Sequence, residues 1–108
     1  MPHISNDHDV ITLINVFTVD PANQQALVDL LVEATETTMS RQPGYVSASI
    51  HASLDGTRVT NYAQWRSREE FEAIFSNPEV RPHMEEAARL ALEFEPQLYR
   101  VAFAHGPA

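Results

Sequence analysis

The chain has 108 residues and a mass of 12.1 kDa, which is the size of one ordinary domain with its own hydrophobic core. Its 15 Asp and Glu outnumber its 7 Lys and Arg, so the sequence does not support a basic surface that binds nucleic acid or an anionic membrane. The lack of cysteine excludes disulfides, thiolate nucleophiles and iron–sulfur clusters.

The beginning of the chain predicts a tail followed by a strand. Residues 1–9 are polar and aperiodic, and they lack the basic and apolar regions of a secretion signal. No apolar run in the chain approaches the ~20 residues that span a membrane. We therefore expect a cytoplasmic protein with a flexible tail over 1–9 and a single domain over 10–105. Residues 10–19 (VITLINVFTV) are rich in β-branched and aromatic residues, which favours a first strand.

A helix and a hairpin follow the first strand. The Asp-Pro dipeptide at 20–21 is typical of an N-cap and a first helical position, so a helix is predicted over 21–40. Its apolar residues recur at helical spacing, at Leu27, Leu30, Leu31 and Ala34. Residues 45–52 and 58–65 are predicted strands, and the Asp-Gly dipeptide at 55–56 predicts a tight hairpin turn between them.

Two further helical segments and a last strand complete the pattern. Residues 67–70 (SREE) match an S-x-x-E capping box, which opens a short helix predicted to bury Phe71, Ile74 and Phe75. The next helix is predicted to begin at 77–78, with an inner face of Met84, Ala87, Ala88 and Ala91. A final strand is predicted over 97–104. The β-α-β-β-α-β order predicts an α+β, ferredoxin-like fold, in which helices cover one face of a four-stranded antiparallel sheet.

The predicted strands carry apolar residues on both faces, although the helices cover only one. In the first strand, Leu13 and Phe17 point to one side and Val16 points to the other. A chain of this size would leave the second face exposed. We therefore expect a homodimer in which two sheets face each other.

An asparagine interrupts the apolar row in each of two predicted strands. The predicted turn places Ile50 opposite Asn61 and Val46 opposite Trp65, all on one face, although a bulge would shift this pairing by one residue. Asn15 alternates with Leu13 and Phe17, so it points to the same face of the first strand as these apolar residues. An unpaired buried amide costs on the order of 1–3 kcal/mol, so both asparagines need partners.

The two asparagines allow two interpretations. In the first, they are satisfied core amides and Trp65 is simply a large core residue. In the second, Asn15 and Asn61 face a pocket between the sheet and the helices, where they bind one polar group of a flat ligand. The walls of that pocket are predicted to be apolar and aromatic, from Trp65, Phe17, Phe71, Phe75 and Met84.

The run HASLDGTRVTNYAQW at 51–65, followed by SREEF at 67–71, resembles the antibiotic biosynthesis monooxygenase family. It is most similar to the small monooxygenases that oxidise anthrone-type aromatic polyketides to quinones, as in the actinorhodin pathway. The likeness extends over residues 10–104 in length and element order. It implies a dimeric α+β barrel, an oxygenase without flavin, haem or metal, and a site lined by Asn61 and Trp65.

The chain departs from this family pattern in two places. Phe71 stands where some polyketide oxidisers have a tyrosine, so a hydroxyl is missing. The segment with Arg81, His83 and Met84 aligns with a helix where that group has an arginine. The sequence leaves open whether Arg81 or His83 takes its place.

The sequence contains no cofactor motif. It has no G-x-G-x-x-G after a strand, no P-loop, and no H-x-x-x-H pair among its five histidines. We therefore expect no cofactor and no metal. A flat aromatic substrate and O2 are the expected partners, because a substrate of the anthrone type reduces oxygen itself once it has lost a proton.

The hypothesis assigns roles to the polar residues of the pocket. Asn61, together with Asn15, is expected to donate hydrogen bonds to the developing oxyanion or to a peroxy intermediate. If a base acts, His83 is the first candidate and His51 the second, because imidazole titrates nearest neutral pH. His51 is also expected on the other sheet face, as a polar residue of the dimer interface. Arg81 is either a counter-charge to the oxyanion or a plain surface charge.

Three alternatives come from other functional classes. A haem-degrading monooxygenase of this fold would share Asn15 and Trp65, but it would need an iron-ligating histidine soon after the tryptophan, and residues 66–76 contain none. A non-catalytic dimer that binds a small aromatic molecule would share the fold and the pocket without turnover. In an inert fold homologue, Asn61 would be purely structural.

Overall fold

A computed structural model of the chain describes residues 10–106, and the predicted tail over 1–9 lies outside the described residues. The described part contains four strands, three α-helices and three short 3-10 turns. In chain order the strands and helices are β1 (Ile11–Thr18), α1 (Gln24–Thr37), β2 (Tyr45–Ala52), β3 (Arg58–Trp65), α2 (Arg68–Ala73), α3 (Arg81–Leu90) and β4 (Glu93–Arg100). The 3-10 turns are Pro21–Asn23, Met39–Arg41 and Ile74–Ser76.

The four strands form one antiparallel sheet in the order β2-β3-β1-β4. The helices pack on one face of it, which confirms the predicted α+β, ferredoxin-like architecture. Because β1 and β3 are the central strands, the side chains that they point at the helices lie in the middle of the domain. Within residues 10–106, no helix is long and apolar enough to cross a membrane.

The β2–β3 hairpin contains a bulge that changes one predicted contact. The predicted pairing holds from Ser47 to Ala52, where Ile50 lies opposite Asn61. The register then shifts at Val46, so Tyr45 and not Val46 pairs with Trp65. The prediction for Val46 was therefore wrong, because an extra residue on the bulged strand reverses the side-chain alternation beyond it. As a result, Tyr45 packs edge-on against Trp65, with 5.7 Å between the ring centroids.

The helix starts follow the predicted capping signals. Asp20 Oδ1 accepts a hydrogen bond from the Ala22 N–H at 3.0 Å, which caps the 3-10 turn that leads into α1. Ser67 Oγ accepts from the Glu70 N–H at 3.1 Å and donates to Glu70 Oε1 at 3.2 Å. The sequence therefore placed both starts correctly, although α1 itself begins at Gln24.

Two predicted boundaries near the end of the chain were wrong, and a proline explains each difference. α3 begins at Arg81 and not at 77–78, because Pro82 lacks an N–H and fits only the first turn of a helix. β4 spans Glu93–Arg100 and not 97–104, with Pro96 inside the strand. β4 is an edge strand, and an edge tolerates a residue without an N–H.

The core lies between the sheet and the helices and has two parts. One part surrounds Trp65 and consists of Leu13, Ala63, Trp65, Phe71, Ile74 and Val80. The other consists of Phe17, Val19, Leu27, Val59 and Ala87. Phe75, which was predicted to be buried, is 48% exposed. α2 ends at Ala73 and continues as a 3-10 turn, and this change of helical spacing moves Phe75 away from the core.

The face of the sheet that the helices leave uncovered contains a buried polar pair. Thr12 and Gln64 are almost fully buried, and Gln64 Nε2 donates to Thr12 Oγ1 at 3.1 Å. Ile14, Val16 and Tyr62 are half-buried on the same face. The structure contains one chain, so the predicted homodimer stays a prediction.

Candidate functional site

A cavity of about 210 Å³ opens between the sheet and the helices, where the two parts of the core meet. Its floor comes from the sheet, with Leu13, Asn15, Phe17, Asn61, Phe94 and Pro96. Its walls come from the helical layer and include Met39, Phe71, Phe75, His83, Met84 and Ala87. None of the lining residues within 10–106 is an Asp, Glu, Lys or Arg. The cavity therefore suits an uncharged and largely apolar ligand.

Two asparagine side chains form the polar part of the cavity floor. Asn15 and Asn61 lie directly opposite each other on β1 and β3, in the register that the strand pairing fixes. Side chains in such cross-strand pairs have Cβ atoms about 4.5–5.5 Å apart. Among the described residues, neither Asn15 Oδ1 nor Asn61 Oδ1 has a hydrogen-bond partner, although both atoms are buried. Two buried acceptors without donors therefore lie at the polar part of the cavity floor.

Trp65 lies behind the cavity and not on its surface. It is 1% exposed, and its ring packs edge-on against Phe71 with 5.9 Å between centroids. Phe71 in turn packs against Phe75 at 5.4 Å. Trp65 is not one of the lining residues, so the predicted wall is formed by Phe71 and Phe75 instead. Trp65 Nε1 is buried without an acceptor among residues 10–106, and burial also raises the pKa of the adjacent Tyr45 phenol above its ordinary value.

His83 is the one histidine that the cavity lining includes within residues 10–106. It lies in the first turn of α3, and its ring is half-buried. His83 Nε2 is 3.1 Å from Thr38 Oγ1, at the C-terminal end of α1. Thr38 was not predicted, because it lies 45 residues from His83 on a different helix, and no sequence pattern connects them.

The two other polar residues proposed for the site lie outside the cavity. Arg81 is exposed at the start of α3 and does not line the cavity. His51 is exposed on the edge strand β2, where its Nε2 is 2.9 Å from Ser49 Oγ on the same sheet face. The cavity lining includes the other predicted wall residues, Phe17, Phe71, Phe75 and Met84. It also includes Phe94, which the sequence had placed before the last strand.

The donor atoms of the cavity are amides, one imidazole and one hydroxyl. The hydroxyl is that of Thr35, which donates to Leu31 O at 2.8 Å. Across residues 10–106, no group of three or more His, Asp or Glu side chains is arranged to hold a metal ion. The chemistry that these residues support is hydrogen bonding to oxygen atoms and transfer of one proton.

The comparisons with known proteins agree on one family. The model of the antibiotic biosynthesis monooxygenase family matches residues 10–86. Tetracenomycin-F1 monooxygenase from Streptomyces glaucescens is 47% identical over 85 residues, which are 79% of this chain and 76% of that protein.

Solved structures of similar proteins have the same fold. A monooxygenase from the ActVA-Orf6 gene of Streptomyces coelicolor, in complex with nanaomycin D, is 33% identical with a TM-score of 0.83, over 95% of this chain and 97% of that one. SnoaB, a cofactor-independent oxygenase from Streptomyces nogalater, is 25% identical with a TM-score of 0.71, over 89% of this chain and 96% of that one.

Proposed function

The chain belongs to the antibiotic biosynthesis monooxygenase family, and we propose that it oxidises an electron-rich aromatic polyketide of the anthrone or hydroquinone type to a quinone. O2 is the oxidant and no added cofactor takes part. One relative is named for tetracenomycin F1 and another was crystallised with nanaomycin D, and both support this substrate class. The observation that carries the proposal is a pair of asparagines, with unpartnered buried oxygens, in a cavity whose lining is mostly apolar.

The cavity favours a flat ring system. Phe17 and Phe94 lie in its floor with 6.0 Å between their ring centroids, and Phe71 and Phe75 form a wall. Aromatic rings prefer offset or edge-on contacts at such distances, so these side chains hold a planar ligand at a low entropic cost. The absence of charged groups from the described lining favours a neutral ligand until it is deprotonated.

The reaction of an anthrone with O2 balances without an external reductant. Loss of a proton from the ring CH2 gives a carbanion that is delocalised onto the carbonyl oxygen. The carbanion reduces O2 and forms a C–O bond, and the resulting peroxide takes up a proton. Elimination of water across the remaining C–H and the O–O bond leaves a carbonyl. One oxygen atom therefore enters the quinone and the other leaves as water.

The two asparagines act on the oxygen atoms of the substrate. Each amide has an acceptor oxygen and two N–H donors. After the two amides rotate toward the ligand, Asn15 Oδ1 and Asn61 Oδ1 accept hydrogen bonds from phenolic hydroxyls, and this supplies the donors that the buried oxygens lack. The amide N–H groups donate to the oxyanion that develops during deprotonation, which lowers the barrier to the first step.

Among the candidate bases, the position of His83 in the cavity lining supports it best. His51 lies on the other sheet face and Arg81 lies outside the lining, so neither takes part in the deprotonation of the substrate. Trp65 acts through Phe71, which it supports from behind. It is therefore a positioning residue and not a group that touches the substrate.

A homodimer belongs to the same proposal. The half-buried Ile14, Val16 and Tyr62 form an apolar strip on the sheet face without helices. A second copy of the chain would cover this strip with the same strip of its own sheet, in a two-fold arrangement.

Oxygen uptake by the purified protein with a hydroxylated anthrone tests the proposal. We expect uptake above the spontaneous rate, one quinone per O2, and one labelled oxygen atom in the quinone when 18O2 is used. The control is Asn23→Leu, because Asn23 makes no capping hydrogen bond and lies outside the cavity.

Two other outcomes would contradict oxidation. A quinone that quenches the fluorescence of Trp65, the single tryptophan, without any oxygen uptake would indicate a binding protein. A Soret shift after addition of haem, with turnover of the haem, would indicate a haem-degrading enzyme. No observation on the cavity favours haem degradation, because residues 66–76, which follow Trp65, contain no histidine that could ligate iron.

A further inference from the structure

Thr38 lies outside the cavity and contacts the imidazole of His83, which lines it. It is 6% exposed, it caps the C-terminal end of α1, and it is not one of the lining residues. Its Oγ1 lies 3.1 Å from His83 Nε2 and 3.3 Å from Thr37 Oγ1. The side chain therefore joins a second hydroxyl to the one histidine of the described lining.

Only one arrangement of protons makes both contacts of Thr38 Oγ1 hydrogen bonds at the same time. A hydroxyl has one proton to donate, and a backbone carbonyl only accepts. Thr37 Oγ1 donates its proton to Glu33 O at 2.8 Å, so Thr37 can only accept from Thr38. When Thr38 donates to Thr37, its oxygen accepts from His83. His83 Nε2 then carries the proton, and Nδ1 keeps its lone pair.

The backbone of Thr38 is held from both sides. Its N–H donates to Ala34 O at 3.0 Å, and its carbonyl accepts from Gln42 Nε2 at 3.1 Å. Gln42 Oε1 in turn accepts from Asn77 Nδ2 at 2.9 Å. Asn77 belongs to the turn that precedes α3, so this chain of bonds ties the end of α1 to the segment that leads to His83. Both partners of the Thr38–His83 contact therefore keep their relative positions.

We propose that Thr38 is a positioning residue that holds His83 in its Nε2–H tautomer, with Nδ1 free to accept a proton from the bound substrate. This inference rests on the proposed function and adds a residue to it. The proton moves from the substrate to Nδ1, which gives an imidazolium and a substrate anion. The imidazolium later returns the proton to the peroxide, so the histidine is regenerated in each cycle.

Nitrogen-15 NMR of the histidine side chains tests the tautomer directly. The signals of His83 are assigned by their loss in His83→Gln. In the neutral form of the wild-type protein, we expect the Nε2–H tautomer. Thr38→Ser keeps the hydroxyl and should keep this tautomer, whereas Thr38→Val should give a mixture of the two tautomers. Thr18→Val is the matched control for the spectrum, since it removes a hydroxyl that bonds to Glu93 outside the cavity.

Turnover provides the second measurement. A positioned base contributes roughly 100-fold or more to a rate. We expect kcat to fall about 10-fold to 100-fold in Thr38→Val and to recover in Thr38→Ser. An Nδ1–H tautomer in the wild-type protein would overturn the inference. So would a Thr38→Val variant with the wild-type tautomer and kcat. If the wild-type protein itself does not oxidise an anthrone, the proposed function fails, while the tautomer of His83 still decides the role of Thr38.

Discussion

The asparagine pair is costly for the fold. Asn15 and Asn61 occupy central positions of β1 and β3, where the neighbouring side chains on the same face are apolar. Two buried carbonyl oxygens without donors destabilise a small domain, because folding removes the water that they bind in the unfolded chain. A group with such a cost calls for an explanation, and we propose that the explanation is a ligand. Stability and function should therefore oppose each other at these two positions.

Replacement of either asparagine by leucine should stabilise the protein. Leucine has the same branched arrangement of side-chain heavy atoms and leaves no buried polar atom, so Asn15→Leu and Asn61→Leu should each raise the free energy of unfolding by about 1–3 kcal/mol. Urea denaturation followed by circular dichroism measures the change. Asn23→Leu, outside the cavity, should shift the midpoint little. A fall in stability for both cavity variants would mean that the amides are satisfied structural residues.

Part of the site at this scale follows from the sequence. The sequence alone predicts that Asn15 and Asn61 point to the same sheet face as their apolar neighbours, because side chains alternate with a period of two along a strand. The edge-on contact of Tyr45 with Trp65 does not follow from the sequence, since it depends on a bulge at Val46 that brings Tyr45 against the indole. The contact of Thr38 with His83 joins two helix ends, and neither end has a local signal for it.

At the scale of the elements, turns fix which residues of the strands meet. The loop between β2 and β3 is held by Asp55, whose Oδ1 accepts from the Thr57 N–H at 3.0 Å, from Thr57 Oγ1 at 2.7 Å and from Ser53 Oγ at 2.8 Å. These bonds favour the carboxylate, with those from Thr57 the largest cause, and they lower the pKa of Asp55 to about 2. The loop therefore sets the register that places Asn61 in the cavity.

The lowered pKa of Asp55 predicts how stability depends on pH. Because the pKa is lower in the folded state than in the unfolded state, the carboxylate stabilises the fold above the unfolded pKa of about 4 and loses this effect as pH falls toward about 2. The wild-type protein should be more stable than Asp55→Asn at neutral pH, and the difference should shrink between these limits. Urea midpoints across this range measure it, with Asp29→Asn on α1 as a control for the loss of one surface charge. A difference that stays constant with pH would contradict the role of Asp55.

The turn before β2 should not accept a side chain. Gly44 has a φ of +87°, and an added Cβ would lie 2.6 Å from Glu70 Cβ in the capping box of α2. Gly44→Ala should destabilise the fold by more than the ~1–2 kcal/mol that left-handed backbone costs a non-glycine residue. Gly56→Ala is the matched control, because φ is +82° there and the new Cβ would meet Pro21 Cβ at an ordinary 3.5 Å. Equal losses in urea denaturation would show that the contact with Glu70 costs nothing.

Element boundaries were predictable where one residue decides them. Asp20 and Ser67 each cap a helical segment as their positions indicate. The sequence did not reveal whether Pro82 and Pro96 lie outside or inside their elements. A proline can end a helix or strand, or it can occupy a position in one where no backbone N–H is needed. Pro82 occupies the first turn of α3 and Pro96 lies in an edge strand, and only the tertiary arrangement distinguishes these cases.

At the scale of the whole molecule, the sheet has one face with helices and one without. The homodimer that we propose would bury Ile14, Val16 and Tyr62. Sedimentation should give twice the mass of a 12.1 kDa chain for the wild-type protein and a shift toward the monomer for Val16→Lys, because a lysine is costly to bury in an apolar contact. Val32→Lys, at an exposed position of α1, should leave the dimer intact. A wild-type protein that sediments as a monomer at micromolar concentration would contradict this prediction.

We propose that the chemistry lies on the asparagine pair, and kcat for anthrone-dependent oxygen consumption by Asn61→Leu decides whether it lies there. Loss of one donor to a developing oxyanion lowers kcat by about 100-fold to 1,000-fold in enzymes that use such donors. We predict a loss of this size in a variant that is folded and at least as stable as the wild-type protein, with Asn23→Leu fully active. An Asn61→Leu variant that oxidises the anthrone at the wild-type rate would show that the amide pair does not carry the reaction.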